Sequence, residues 1–432
     1  MKQPLCFIND FYLHFYNQTW LSLHLPATKI ANTMTILFKK VFPGLLLLAS
    51  ASQIHSQTSN DSVPEKFIYT KGIDLPATSV KDQSASGTCW SYATTSFLES
   101  ELLRITKDTF DLSEMFFARK AYETKALNYV RLHGKANFGE GGQAHDVMTV
   151  IRKYGMYTQD AYSGLANGQT KPSHAELEAV LEAMVGAIIK NPAGKLSPEW
   201  MNAISDVLDV YMGKVPHTFD KSNITPLEFA KNINPEDYVE ITSFTHHPFY
   251  TQFALEVPDN WSGDAYYNVP LDELIQIMDY ALNTGYTVDW DADVSDKGFS
   301  HKNGVAIEPE ISLENLDSTE RSKWDKLTEK ERRAQFYSFT KPVPERNITP
   351  EIRQAAFDNY STTDDHLMHI TGTVTDQNGK RYFHTKNSWA SDSNTYGGYL
   401  NVSEAYVRLN TLAIMVHKDA IPKEIKKKAG IK

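Results

Sequence analysis

The chain has 432 residues, 41% of them hydrophobic and 22% charged, which supplies a large core and excludes an intrinsically disordered chain. Its 43 basic residues are outnumbered by 53 acidic ones, giving a formal charge of -10 and excluding a nucleic-acid binder built on a broad positive surface. Cys6 and Cys89 are the two cysteines, too few for a disulfide scaffold or a thiolate zinc site.

From the N-terminus, the basic stretch ending in Lys39-Lys40 precedes an apolar run, Leu45 to Leu48, and then small residues, Ala49 to Ser52. That pattern predicts a secretory signal peptide over residues 34–56, and with it a secreted or periplasmic protein. The apolar run is too short for a stable membrane anchor. A signal peptide belongs at the start of a chain, so Met34 reads as the true start and residues 1–33 as an over-extended N-terminus. Residues 57–432 then form one domain, and Cys6 is removed, leaving Cys89 as a lone thiol.

After Gly87, the residues Trp90, Ala93, Phe97, Leu98, Leu102 and Ile105 recur at helical spacing, with Glu99, Glu101 and Arg104 among the polar positions. The pattern predicts an amphipathic helix whose first turn holds Cys89. The positive end of such a helix favours thiolate, the nucleophilic form of cysteine, so a lowered thiol pKa is expected here.

Gln83, five intervening residues and then Cys89-Trp90 resemble the active-site segment of papain-like cysteine peptidases. The resemblance implies that the Gln83 side chain and the Cys89 backbone N–H form an oxyanion hole. Many secreted members carry a disulfide-forming cysteine where this chain has Ser86. A cysteine-poor relative of papain resembles the bleomycin hydrolase/aminopeptidase C branch.

A thiol nucleophile needs a proton partner. His366 to Thr375 and Lys380 to Trp389 flank an Asn378-Gly379 turn signal and predict an antiparallel hairpin. A four-residue loop, Thr375 to Asn378, sets His366 opposite Asn387; a three-residue loop, Gln377 to Gly379, sets His369 there instead. Register alone leaves both open. In papain-like enzymes the histidine opens its strand after an acidic residue, with a glycine six positions on, and Asp365-His366 followed by Gly372 fits. The resemblance therefore implies His366 as the base, Asn387 as the residue orienting it, and Trp389 as a shield over their hydrogen bond; His369 reads as a packed strand residue.

The likeness runs from roughly Ile73 to Lys418. Glu140-Gly141-Gly142-Gln143 resembles the branch's Gly-Gly segment, where backbone pairs with substrate; Gly141 and Gly142 read either as substrate-binding positions or as a turn before a helix. The implied fold is α+β, papain-like and two-lobed, with a helical lobe over roughly 80–235, an antiparallel β lobe over roughly 236–432, and helical insertions. The implied function is a Cys-His-Asn peptidase acting on peptide substrates, with aminopeptidase action on free N-termini and a hexameric assembly. No metal or organic cofactor is needed for that chemistry. The branch's C-terminal arm, which receives the substrate's amino group, reads as shortened in a tail ending at Lys432. Rival readings are an endopeptidase, a transglutaminase-like acyltransferase, and an inactive peptide-binding protein on the same scaffold. Three further features read as surface: the His246-His247 pair, the charged stretch 312–336, and the carboxylates of Asp289, Asp291 and Asp293, which lack the glycine and glutamate of a calcium loop.

Overall fold

Helices come first along the chain and strands after them. The structure, a computed structural model, describes residues 66–432 apart from 192, 219–223, 311–326, 329–330, 332–333 and 335. The expected signal peptide, the expected over-extended N-terminus and most of the 312–336 stretch lie outside the described residues. No helix among the described residues is long and apolar enough to cross a membrane.

β1 (Tyr69–Asp74) precedes a helical region built from α1 (Cys89–Thr106), α2 (Glu114–Arg131), α3 (Ala144–Tyr154), α4 (Ala175–Ile189), α5 (Glu199–Met212) and the single turn α6 (Pro226–Phe229). There follow β2 (Tyr238–Thr242), β3 (Gln252–Ala254), β4 (Ala265–Asn268), α7 (Leu271–Asn283), β5 (Val288–Ala292), β6 (Phe299–Ser300) and β7 (Val305–Ala306). The chain closes with α8 (Pro350–Asp358), β8 (His366–Asp376), β9 (Arg381–Lys386), β10 (Tyr399–Ser403), α9 (Glu404–Asn410), β11 (Thr411–His417) and α10 (Lys423–Ala429).

The strands run β3-β4-β2-β11-β5-β8-β9-β10-β7-β6 in one sheet, with β1 also pairing along β8. The expected antiparallel lobe is corrected in one respect: β2 with β4 and β10 with β7 pair in parallel, so the sheet is mixed. One core fills the helical region and another lies between the sheet and α7. Because successive strand side chains alternate faces, β8 serves both, sending Leu367 into the helical core and Met368 into the sheet core.

The expected amphipathic helix exists but has no wet face over its first four turns. Every residue of α1 from Cys89 to Leu102 is buried, Glu99 and Glu101 included. The helix is covered by α2 and α3 as well as by β8 and β5, so its polar side chains meet protein instead of water. Glu99 accepts from the Leu112 N–H at 2.8 Å, and Lys81 Nζ stands 3.3 Å from Glu99, 2.6 Å from Glu114 and 2.5 Å from Asp111. Burial works against the Lys81 charge, and the Glu114 and Glu99 carboxylates more than offset it.

The carboxylates of β5 are likewise not solvated: Asp289, Asp291 and Asp293 are all buried. Helix α1 packs on one face of this strand and α7 on the other, so alternation offers no exposed face. Burial pushes the Asp289 carboxyl up to about 8, although Thr94 donates to it at 2.6 Å. A carboxyl raised above its unfolded value of about 3.9 stabilises the fold below that value and loses the contribution as pH rises through its folded pKa. Wild type should therefore lose thermal stability relative to Asp289→Asn between about pH 5 and pH 8. Parallel melting curves of the two proteins across that range would expose a pH-independent difference and so refute the assignment.

Candidate active site

Cys89 is the first residue of α1, where a backbone N–H has no carbonyl partner within the helix. The thiol is buried, and the Leu367 amide of β8 hydrogen-bonds to its sulfur. Burial pushes the thiol up to about 12; the Leu367 N–H works in the opposite direction, and Asp259, Asp291 and Asp364 raise it further. The lowered pKa expected from the helix end is thus corrected, because desolvation and three nearby carboxyls outweigh a partial positive charge.

His366 opens β8, and its Nε2 lies 2.7 Å from Asn387 Oδ1. Asn387 Oδ1 also accepts from the Ser388 N–H at 2.7 Å, while its Nδ2 lies 3.2 Å from His301 Nδ1. Acceptor on one side and donor on the other fix the amide's orientation, so His366 carries its proton on Nε2 and leaves the Nδ1 lone pair free of Asn387. Burial holds the imidazole down at about 4, and Asn387 pulls it upward. The Trp389 ring lies 4.7 Å from the His366 ring, beside the hydrogen bond it was expected to shield.

The hairpin itself uses the three-residue loop: Asp376 N–H donates to Lys380 O at 2.8 Å around Gln377, Asn378 and Gly379, the glycine at φ 83°. A bulge between Ile370 and Gly372 then shifts the register, so His369 faces Lys386. Asn387 lies just past the end of β9 and reaches His366 from there. His369 is fully buried under α1, with Nδ1 2.9 Å from Ser96 Oγ and its ring edge-on to Phe97. Burial lowers its pKa well below the usual range.

Gln83 is held at both ends of its amide. Oε1 accepts from Ser388 Oγ at 2.7 Å, and Nε2 donates one of its two protons to Ser86 O at 2.9 Å, leaving the second. Ser86 Oγ donates back to Gln83 O at 2.7 Å. Gly142 is buried against Trp90, whose ring atoms a Cβ would meet at 3.0 Å, and Gly141 is pressed against Asp259. A Cβ at either position would therefore force a neighbouring side chain to shift.

Several neighbours of the site escaped the sequence reading. His301 supports Asn387, Gln143 Nε2 donates to Asp364 at 2.9 Å, and Asp259, Asp291 and Asp364 act on the thiol. Asp364 and Gln143 adjoin segments already singled out; Asp259, Asp291 and His301 arrive from elsewhere with no signal of a role at the site. The His246-His247 pair is surface-located as expected, but each Nε2 lies 3.0 Å from one oxygen of Glu256.

No family model matches the chain. Aminopeptidase G of Lactobacillus delbrueckii subsp. lactis is 22% identical over 420 residues, covering 87% of this chain and 89% of the relative. Aminopeptidase C of Streptococcus thermophilus is 22% identical over 425 residues, with 88% and 87% covered. Cysteine proteinase 1, mitochondrial, of Saccharomyces cerevisiae is 22% identical over 419 residues, with 84% and 79% covered. The solved structure of PepW from Lactobacillus rhamnosis HN001 matches with a TM-score of 0.61 at 19% identity, covering 84% of each chain. The fold is therefore α+β and papain-like. The relatives support a likeness to the bleomycin hydrolase/aminopeptidase C branch of cysteine peptidases.

Proposed function

We propose that this chain is an exported cysteine aminopeptidase that hydrolyses the first peptide bond of peptides with a free N-terminus. The observation that carries the reading is the 2.7 Å bond from His366 Nε2 to Asn387 Oδ1, on the strand whose next amide hydrogen-bonds to Cys89. The relatives named aminopeptidase G and aminopeptidase C support the exopeptidase part.

In this reading Cys89 Sγ gives its proton to His366 Nδ1 and attacks the scissile carbonyl carbon. The transfer creates opposite charges side by side, and their attraction offsets the desolvation that disfavours each one alone. The oxyanion accepts from the Cys89 N–H and the second Nε2 proton of Gln83. Collapse of the intermediate expels the amine, which takes the proton from His366. Water then gives a proton to His366 and attacks the thioester, releasing the carboxylic acid and restoring the thiol.

Wild type should cleave an aminoacyl amide substrate and leave its N-acetylated counterpart intact, and Cys89→Ala should cleave neither. Equal cleavage of both by wild type would make the enzyme an endopeptidase, and no cleavage of either would remove the peptidase reading. Gln83→Ala should lower kcat on the same substrate by ~10²–10³; an unchanged kcat would exclude Gln83 from the oxyanion hole. Export rests on the segment Met34 to Ser52, and N-terminal sequencing of the natural protein would decide it, an intact Met1 refuting it. A hexameric assembly belongs to the same reading and is checked by sedimentation.

A further inference from the structure

Three carboxyls converge beside the nucleophile from three separate segments. Asp259 comes from the loop between β3 and β4, Asp291 from β5, and Asp364 from two residues before His366. All three act on the Cys89 thiol. Asp291 faces Leu367 in the β5–β8 register, next to the amide that hydrogen-bonds to the sulfur. Asp291 is 3% exposed, and neither of its carboxyl oxygens has a hydrogen-bond donor. Its carboxyl lies within hydrogen-bonding reach of Asp364, which is half-buried and accepts from Gln143. Asp259 accepts from Asn137 Nδ2 at 3.2 Å and packs against Gly141.

Such a group is costly as it stands. A buried carboxyl with no donor forfeits its hydration, and like charges side by side resist ionisation. Among the described residues no cationic side chain is ion-paired with any of the three. Lys125, the nearest in effect, directs Nζ to the carbonyls of Gly139 and Gly141. What the cluster lacks is one positive charge carrying several N–H donors, and an ammonium group supplies both.

The chemistry of the proposed reaction fixes where an ammonium arrives. The nitrogen of an N-terminal residue is joined to its carbonyl carbon through Cα alone, by bonds of about 1.46 and 1.52 Å. When Sγ reaches that carbon, the ammonium must lie immediately beside the thiol. We propose that Asp259, Asp291 and Asp364 form the subsite that receives the N-terminal ammonium of the substrate. This deepens the aminopeptidase reading and rests on it for the substrate's placement. The three carboxyls close the cleft to a further residue on the amino side and replace the lost hydration of the ammonium with charge-assisted hydrogen bonds.

The test uses reversible capture of the thiol, so that it is independent of turnover. Leucinal and N-acetyl-leucinal each form a hemithioacetal with Cys89, and each is assayed for protection of Cys89 against iodoacetamide. Leucinal should protect wild type at concentrations lower by on the order of 30-fold or more, the scale of one desolvated charge pair. Asp364→Asn and Asp291→Asn should each bring the two aldehydes close to parity. Parity in wild type, or an unchanged ratio in both variants, overturns the proposal. N-acetyl-lysinal separates the other source of an ammonium: protection equal to that by leucinal would assign the cluster to a side-chain cation and also overturn it. If Asp291→Asn fails to fold, the half-buried Asp364→Asn decides alone. A wild type that favours leucinal yet hydrolyses no peptide would refute the peptidase reading and leave the subsite standing. Hydrolysis of free-amino substrates with aldehyde parity would do the reverse.

Discussion

His366→Ala should lower kcat/KM on a free-amino substrate by ~10⁴-fold or more, the loss that follows removal of a base acting as one unit with its nucleophile. His369→Ala should leave kcat/KM within about 3-fold and lower the melting temperature instead. The two histidines share a strand but not an environment. His366 bonds Asn387 beside Trp389, whereas His369 bonds Ser96, which in turn accepts from Lys386 Nζ at 2.7 Å. Removing the His369 imidazole leaves a void against Phe97 and strips Ser96 of a partner, both of them stability costs. Kinetics and thermal melts of the pair separate the roles. Retained activity in His366→Ala, with collapse in His369→Ala, would move the base to the second histidine.

Glu99→Ala should destabilise the fold by about 2–4 kcal/mol, the cost of leaving two donors in a buried site without their acceptor. Glu99 is 1% exposed and is met by Lys81, Thr78 and the Leu112 N–H, so one truncation orphans the Thr78 and Leu112 donors while Lys81 keeps Glu114 and Asp111. Glu99→Gln keeps an acceptor for Thr78 and Leu112 and should cost less than Glu99→Ala. Urea unfolding of the three proteins, with unchanged m-values, measures the order. A loss below about 1 kcal/mol for Glu99→Ala would place the strength of this region elsewhere.

The residues to which the proposal assigns chemistry could be picked out because each sits in a short local pattern: a glutamine before a cysteine at a helix start, a histidine opening a strand, an asparagine closing the next. The partnership within the hairpin could not. Counting residues across the turn offered two registers, and the formed strand uses one of them near the loop and departs from it after the bulge. The bulge has a long-range cause: a Cβ at Gly372 would lie 2.1 Å from the carbonyl oxygen of Ile73, so β1 presses its backbone onto β8 there. Nothing within the hairpin records that neighbour. The same holds for α1, whose polar positions read as a solvent face until the sheet and α2 cover them. It holds again for the β5 aspartates, whose alternation is that of a half-exposed strand although both faces are covered. Periodicity reports the repeat of an element, and burial depends on what arrives from elsewhere in the chain.

The sharing of β8 between the two cores bears on timing. Cys89 lies near the start of the described chain and His366 near its end, while the strand carrying His366 is flanked by β5, β9 and β1. A ribosome delivers the thiol long before it delivers His366, the proposed base, which has no fixed place until β8 is seated between its neighbours. In the proposed mechanism, a chain halted before β8 would carry its thiol and hydrolyse nothing. Under the proposed chemistry the order of synthesis works as a safety catch, keeping the thiol idle while its own unfolded backbone is the nearest substrate.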